Sequence, residues 1–234
     1  MKKNKEIPWN LLDVAKAVAI FLVLAAWNTF SKISLTVKNP PLAVKPLTVA
    51  LSMIFVYAIL LFWVWFFSVR KYHTTWKSLG FVSFDFLDAF VIGLIWLFII
   101  GVLVSTYAIV AGKFGFKPSP EAVDSIPRLF GNSLMGMILA TFTAAVIAPF
   151  VEEIFFRGFL YPAIRKQVGV GWAIIISAVI FGFMHASVWK MVPIVLIGMI
   201  LAYLYEKEKS LGPPIMLHAF YNFALIMLGY YFYK

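Results

Sequence analysis

The chain has 234 residues, of which 63% are hydrophobic and only 13% are charged, and its mean hydropathy is +0.93. A soluble domain of this size needs more polar surface, so the composition indicates a membrane protein that crosses the bilayer several times. The net charge of +10 comes from basic residues spread over nearly every loop, which suits anionic lipid headgroups and does not favour nucleic-acid binding. The lack of cysteine excludes disulfides, thiolate metal sites and a cysteine nucleophile.

Several apolar runs are long enough to be membrane spans, since a helix needs about 20 residues to cross a bilayer of roughly 30 Å. They lie at about residues 11–30, 47–69, 87–111, 134–160, 169–189, 191–205 and 213–233. The runs lack the alternation of a barrel strand, so we predict an all-α, polytopic transmembrane bundle of about seven helices, with a range of six to eight. Short connections predict a single integral membrane domain over residues 1–234.

Residues 1–111 are predicted to form the N-terminal helices. Their basic start resembles a signal peptide, but Asp13 and Lys16 interrupt the first apolar run, which favours a retained helix. The loops on the N-terminal side carry slightly more lysine and arginine, which predicts a multi-pass plasma-membrane protein with a cytoplasmic N-terminus. Residues 112–132, rich in glycine and proline, are predicted to be the longest polar connector, with room for a short surface helix.

The last hundred residues place ionisable side chains at membrane depth. Glu152 and Glu153 are adjacent in an apolar segment, where an ionised carboxylate is costly unless it has partners or a wet cavity. Arg157 follows Glu153 by four positions, so the two share a helix face and can form a charge-assisted pair. Glu152 points about 100° away and stays available as a base. Taken alone, the motif is also compatible with a charged helix end at the membrane interface.

Two histidines and an asparagine add to this set. His185 closes the fifth apolar run one turn after Phe181, and His218 and Asn222 share a face of the last run. Each alone is typical of a headgroup contact or a helix–helix hydrogen bond. Together with a carboxylate that takes a proton from water, histidines can orient that water or bind a metal that holds it, and an amide can stabilise an oxyanion. These are the components of peptide hydrolysis without a covalent intermediate.

Three motifs occur in an order and spacing known from one family: Glu152-Glu153-x-x-x-Arg157, Phe181-x-x-x-His185 and His218-x-x-x-Asn222. The catalytic motif region, about residues 133–225, resembles the CPBP family of CAAX-protease and bacteriocin-processing (Abi) intramembrane endopeptidases, which includes the Rce1-type prenyl-protein proteases. The resemblance implies an enzyme that cleaves a hydrophobic or membrane-bound peptide or protein within the lipid bilayer. Short loops and a 26.5 kDa chain suggest a prokaryotic member that processes peptides, signals or bacteriocin-like precursors.

The resemblance also implies roles for individual residues. Glu152 would activate the water, with His185 and His218 as its partners. Asn222 would be the oxyanion or water-orienting donor. Three further residues would support the motifs: Glu153, Arg157 and Phe181. No cofactor is certain, because Glu152, His185 and His218 could hold zinc with one open position, whereas a water activated without metal fits the same groups.

Two other classes of protein stay open at this point. Intramembrane carboxylates also mark ion paths, so a proton-coupled transporter is an alternative, although residues 1–111 contain nothing that mirrors the polar groups of the second half. A non-catalytic immunity or scaffold protein of the membrane is the other.

We expect the polar atoms of Glu152, His185 and His218 to converge within about 4–6 Å, or across one water or metal, in a cavity open to solvent. A straight seven-pass arrangement leaves a depth gap of roughly 15 Å between Glu152 and His185. Convergence therefore needs a fourth helix that starts near Met137, or a fifth helix that is tilted or broken at Gly171 or Gly182.

Overall fold

The computed structural model describes residues 7–20, 23, 46–115, 126–185 and 188–233. Within these ranges the chain is helical and contains no strand, which confirms the predicted all-α transmembrane bundle. Five helical segments are long and apolar enough to cross a membrane: Pro46–Arg70, Phe86–Lys113, Leu134–Met184, Trp189–Glu208 and Gly212–Phe232. The chain is therefore an integral membrane protein.

We number the helices α1 (residues 11–20), α2 (Pro46–Trp65), α3 (Phe86–Lys113), α4 (residues 134–168), α5 (residues 170–184), α6 (Val188–Glu208) and α7 (Gly212–Phe232). Most of the predicted first span beyond residue 20 lies outside the described residues. So do residues 116–125 of the predicted polar connector, whose residues 126–130 form a short helix. The sixth span, predicted at 191–205, is longer at both ends.

The segment Leu134–Met184 contains a helical hairpin. Gly169 has φ 78° and ψ 177°, a backbone conformation that interrupts the helix and that glycine adopts without steric cost. The rings of Phe156 and Phe181 meet at a centroid distance of 4.9 Å. In one straight helix these two residues would be about 37 Å apart, so the chain reverses direction at Gly169. The predicted pair of spans is therefore present, but the first of them runs past residue 160 to the glycine.

Two π-helical turns, Thr141–Ile147 and Ile154–Leu160, interrupt α4. A π-helical turn shifts the hydrogen-bond ladder by one residue and leaves a carbonyl free for another partner. The Ala144 carbonyl accepts a hydrogen bond from Nδ2 of Asn222 at 2.8 Å, and the Phe159 carbonyl accepts one from Nε1 of Trp9 at 3.0 Å. Side chains from α7 and from the N-terminal segment therefore attach to α4 at its irregular turns.

Replacing Trp9 by phenylalanine should destabilise the protein. The Trp9 side chain is fully buried, and loss of its N–H leaves the Phe159 carbonyl without its tertiary donor. We expect a loss of about 1–3 kcal/mol, seen as a lower unfolding temperature in detergent. Trp172→Phe is the control, because that side chain is 64% exposed. Equal unfolding temperatures for the two variants would contradict this role of Trp9.

A buried carboxylate also attaches the N-terminal helix α1 to the bundle. Asp13, 1% exposed, accepts hydrogen bonds from the Lys71 ammonium and from the Tyr72 hydroxyl, the latter at 2.6 Å. The hydrogen bond with Asp13 raises the pKa of Lys71 above its usual range. Helix α1 is thereby fixed to the end of the segment that contains α2.

The connector between α2 and α3 is packed into the bundle. Leu79 is fully buried, and its carbonyl lies 2.7 Å from where a Cβ of Gly158 would stand, so a side chain larger than hydrogen on α4 would not fit. The backbone N–H of Leu211, before α7, donates to the Gly80 carbonyl at 2.9 Å. The connector is therefore tightly joined to α4 and to the start of α7.

Candidate active site

A buried ion pair lies at the centre of the bundle. The side chains of Glu153 and Arg157 are 0% and 1% exposed, and Nη1 of Arg157 donates to Oε1 of Glu153 at 2.9 Å. Nη2 of Arg157 donates to the Gly198 carbonyl of α6 at 3.0 Å. The predicted Glu153–Arg157 pair is confirmed. Because a buried charge needs a partner, the pair also fixes α6 against α4.

Phe181 connects this pair with both histidines. The Arg157 guanidinium lies 4.6 Å from the centroid of the buried Phe181 ring, a cation–π contact. The rings of His185 and His218 meet the same ring edge-on, at centroid distances of 4.8 Å and 5.6 Å. The hairpin α4–α5 and helix α7 thus bring residues of all three motifs to one aromatic ring.

His218 lies between the two glutamates. Its Nδ1 is 2.8 Å from Oε1 of Glu153, and its Nε2 is 3.9 Å from Oε2 of Glu152. An ionised carboxylate only accepts hydrogen bonds, so Nδ1 of His218 carries the hydrogen and donates to Glu153. In the neutral imidazole, Nε2 is then an acceptor that faces the Glu152 carboxylate.

Glu152 differs from its neighbour in exposure and in partners. Its side chain is 17% exposed, whereas that of Glu153 is 0% exposed. The Tyr57 hydroxyl of α2 donates to Oε1 of Glu152 at 2.7 Å, and Oε2 faces His218. Sequence reasoning missed Tyr57, whose only signal is a hydroxyl within a membrane span that needs a hydrogen-bond partner.

His185 lies at the exposed edge of this group of side chains. Its ring is exposed, and Nδ1 donates to the carbonyl of Phe181 one turn earlier at 2.8 Å. Its Nε2 takes no part in that hydrogen bond.

The fit to zinc is poor in this arrangement. Among the described residues, no three His, Asp or Glu side chains form a group that could hold a metal ion. A metal about 2.1 Å from both His218 Nε2 and Glu152 Oε2 would span the observed 3.9 Å only at an angle of about 136°, well above the tetrahedral value.

Asn222 stands one turn after His218 on α7 and is half-buried. One hydrogen of its amide is used in the bond to the Ala144 carbonyl, so the side chain fixes α7 against the first π-helical turn of α4. The second N–H and the amide oxygen remain as additional hydrogen-bonding groups.

The site lies inside the bundle, away from its charged end. At that end Glu206 accepts a hydrogen bond from Tyr161 at 2.9 Å and pairs with Arg165 at 3.0 Å. Tyr161 follows Glu153 by eight positions on α4, which corresponds to about 12 Å along the helix. The two glutamates therefore lie about two helical turns from the charged end, within a segment long and apolar enough to cross a membrane.

Gly198 is a second residue that sequence reasoning missed. A Cβ at this position would stand 3.1 Å from Cα of Ala178 and 3.2 Å from the Phe181 ring. Glycine therefore allows α6 to approach α5 closely, and its carbonyl receives Arg157.

Gly198→Ala should lower both folded yield and activity, because the added methyl group pushes Phe181 away from Arg157. Overpacking of this kind costs about 1–3 kcal/mol. Unfolding temperature and yield in detergent measure the effect. Gly101→Ala, with no atom within 4 Å of the new Cβ, is the control, and an equal response of both variants would show that the contact is not tight.

Fold and site together define a helical membrane bundle with two adjacent glutamates, one of them buried, and two histidines that pack against one phenylalanine. Residues 133–224 match the family described as "Type II CAAX prenyl endopeptidase Rce1-like", and this segment contains all seven predicted site residues. The resemblance predicted from the motifs is confirmed for this segment.

One curated relative agrees with the family match. The chain is 32% identical over 90 residues to a protein of Bacillus subtilis (strain 168) named "Putative membrane peptidase YdiL". The alignment covers 38% of this chain and 37% of that protein, so it spans little more than a third of the relative's length. No solved structure matches the chain.

Proposed function

We propose that this protein is an intramembrane endopeptidase that hydrolyses a peptide bond in a membrane-associated or hydrophobic peptide, with a water activated by Glu152. The observation that carries the proposal is the gap between Oε2 of Glu152 and Nε2 of His218, 3.9 Å, with the far side of each group fixed by a hydrogen bond. The Rce1-like segment and the peptidase name of the relative support the same class of reaction.

With a neutral His218, both atoms that border the gap are acceptors and do not bond to each other directly. A water oxygen about 2.8 Å from each atom would bridge the gap of 3.9 Å, with an angle of about 90° between its two hydrogen bonds. It would donate one hydrogen to Glu152 and one to His218, which leaves its lone pairs directed away from both. A lone pair held in this way is positioned to attack a carbonyl carbon.

In the proposed reaction Oε2 of Glu152 takes a proton as the water oxygen bonds to the scissile carbonyl carbon. The carbonyl oxygen becomes an oxyanion, for which the second N–H of Asn222 is the proposed donor. When the carbon–nitrogen bond breaks, the proton passes from Glu152 to the leaving amine. His185 is exposed, and we assign it to contact with the bound substrate. No step passes through a metal, because the donor groups do not gather around one.

The proposed substrate is a hydrophobic or membrane-bound peptide or protein, because the two glutamates lie within a segment long and apolar enough to cross a membrane. Processing of a peptide precursor, a signal segment or a bacteriocin-like peptide suits a protein that resembles a bacterial relative.

The decisive experiment is peptide turnover by purified protein in detergent, with products identified by mass spectrometry. A panel of prenylated, signal-like and precursor-like hydrophobic peptides is offered to the wild-type protein and to Glu152→Ala. Cleavage by the wild-type protein alone supports the proposal. A folded wild-type protein that cleaves none of them would favour a non-catalytic membrane partner, and proton-coupled uptake into vesicles would favour a transporter.

A further inference from the structure

We infer that Tyr57 is a positioning residue for the water-activating carboxylate, supplied by a helix outside the Rce1-like segment. This inference rests on the proposed function. Residues 133–224 carry the family match, whereas Tyr57 belongs to α2, 95 positions before Glu152. Helix α2 is thus part of the site.

The contact controls which oxygen of Glu152 is free. The final torsion of a glutamate side chain has a broad, two-fold profile, so an untethered carboxylate exchanges its two oxygens easily. A hydrogen bond of 2.7 Å from the half-buried Tyr57 hydroxyl holds Oε1, and Oε2 is left facing His218. Bonds from a neutral donor to an ionised carboxylate are short and strong, which suits this role.

The two glutamates are held in parallel ways. Oε1 of Glu153 receives Arg157 and His218, which fixes the histidine, and Oε1 of Glu152 receives Tyr57, which fixes the base. The proposed water site lies between the two fixed groups. Without Tyr57 the gap of 3.9 Å would vary as the carboxylate rotates, and a displacement of about 1 Å at a reacting group can cost about 10²-fold in rate.

Tyr57→Phe should therefore lower kcat by roughly 10- to 100-fold, with KM and unfolding temperature close to wild type. Tyr161→Phe is the matched control, because it removes the same kind of bond, from a tyrosine hydroxyl to a carboxylate at 2.9 Å, at the charged end of the bundle. Its kcat should stay at the wild-type value. Replacing Tyr57 by 4-aminophenylalanine, which keeps a donor at the ring's para position, should restore most of the turnover.

The outcomes separate this inference from the proposed function. If Glu152→Gln is inactive while Tyr57→Phe turns over like wild type, the positioning role is wrong and the proposed function stands. If Glu152→Gln keeps its activity, both are wrong. Should Tyr57→Phe fold poorly, the 4-aminophenylalanine protein is compared with O-methyltyrosine, which keeps the ring but donates no hydrogen bond. Equal kcat values for these two proteins would overturn the inference.

Discussion

Replacing Glu152 by glutamine is expected to abolish peptide hydrolysis and to leave the fold intact. The glutamine has the same shape, and its oxygen can still accept the hydrogen bond from Tyr57. Its amide cannot take a proton from water, so the attacking oxygen is no longer activated. General-base catalysis contributes about 10²–10⁴-fold, and we expect kcat to fall by at least that range. Steady-state turnover of a cleavable peptide and thermal unfolding in detergent measure the two parts of the result.

Glu206→Gln is a suitable control, because the Glu206 side chain has the same 17% exposure as Glu152 and also accepts a hydrogen bond from a tyrosine. It lies at the charged end of the bundle, so its loss should leave kcat unchanged. Glu152→Gln with more than a tenth of wild-type activity would show that another group activates the water.

The same turnover assay is repeated in the presence of a metal chelator. A water activated by Glu152 alone should be insensitive to chelators. Stoichiometric zinc in active protein, lost together with activity, would make Glu152 a ligand instead of a base.

Local helix geometry explains why one part of the site was predictable. Glu153 and Arg157 are four positions apart on one helix, so their contact follows from the helical repeat without knowledge of the fold. The same repeat also predicts that the Glu152 side chain points away from this pair. The position of both glutamates within an apolar run then indicates that partners must exist, although it does not say which helix supplies them.

The depth gap of a straight seven-pass arrangement does not arise, because α4 runs past residue 160 to Gly169. The chain turns at Gly169, sixteen positions after Glu153 and sixteen positions before His185. Two antiparallel helices that leave one turn reach equal depth after equal numbers of residues. Breaks at Gly171 or Gly182 and a start near Met137 were therefore unnecessary, since α4 begins at Leu134. The interruption lies at Gly169, which has a positive φ, and not at either of the two glycines considered from the sequence.

Contacts between distant helices were not predictable in this way. Tyr57 resembles any aromatic residue of a membrane span, and Gly198 any glycine of a helix, until α2 and α6 are packed against α4 and α5. The π-helical turns that receive Trp9 and Asn222 have no sequence signature of their own. Only the packed bundle shows which carbonyl is free and which side chain reaches it.

Arg157→Ala is expected to be the most destabilising single change in the site. The arginine makes four contacts at once: with Glu153, with the Gly198 carbonyl and with the rings of Phe156 and Phe181. Its removal leaves the carboxylate of Glu153 buried with His218 as the one remaining hydrogen-bond partner among the described residues. Breaking a buried pair from one side costs about 3–5 kcal/mol, so folded yield and unfolding temperature in detergent should fall sharply, and activity with them.

A double variant tests whether the loss comes from the uncompensated charge. Glu153→Gln combined with Arg157→Met removes both charges at similar volume, and the glutamine oxygen can still accept from His218. Because replacement of a buried pair by neutral groups is often close to neutral in stability, the double variant should be more stable than Arg157→Ala. Arg165→Ala is the control, since its pair with Glu206 is 28% and 17% exposed and should contribute about 1 kcal/mol or less. If Arg157→Ala unfolds at the temperature of Arg165→Ala, the buried pair does not hold the site together, and the position of His218 must depend on α7 alone.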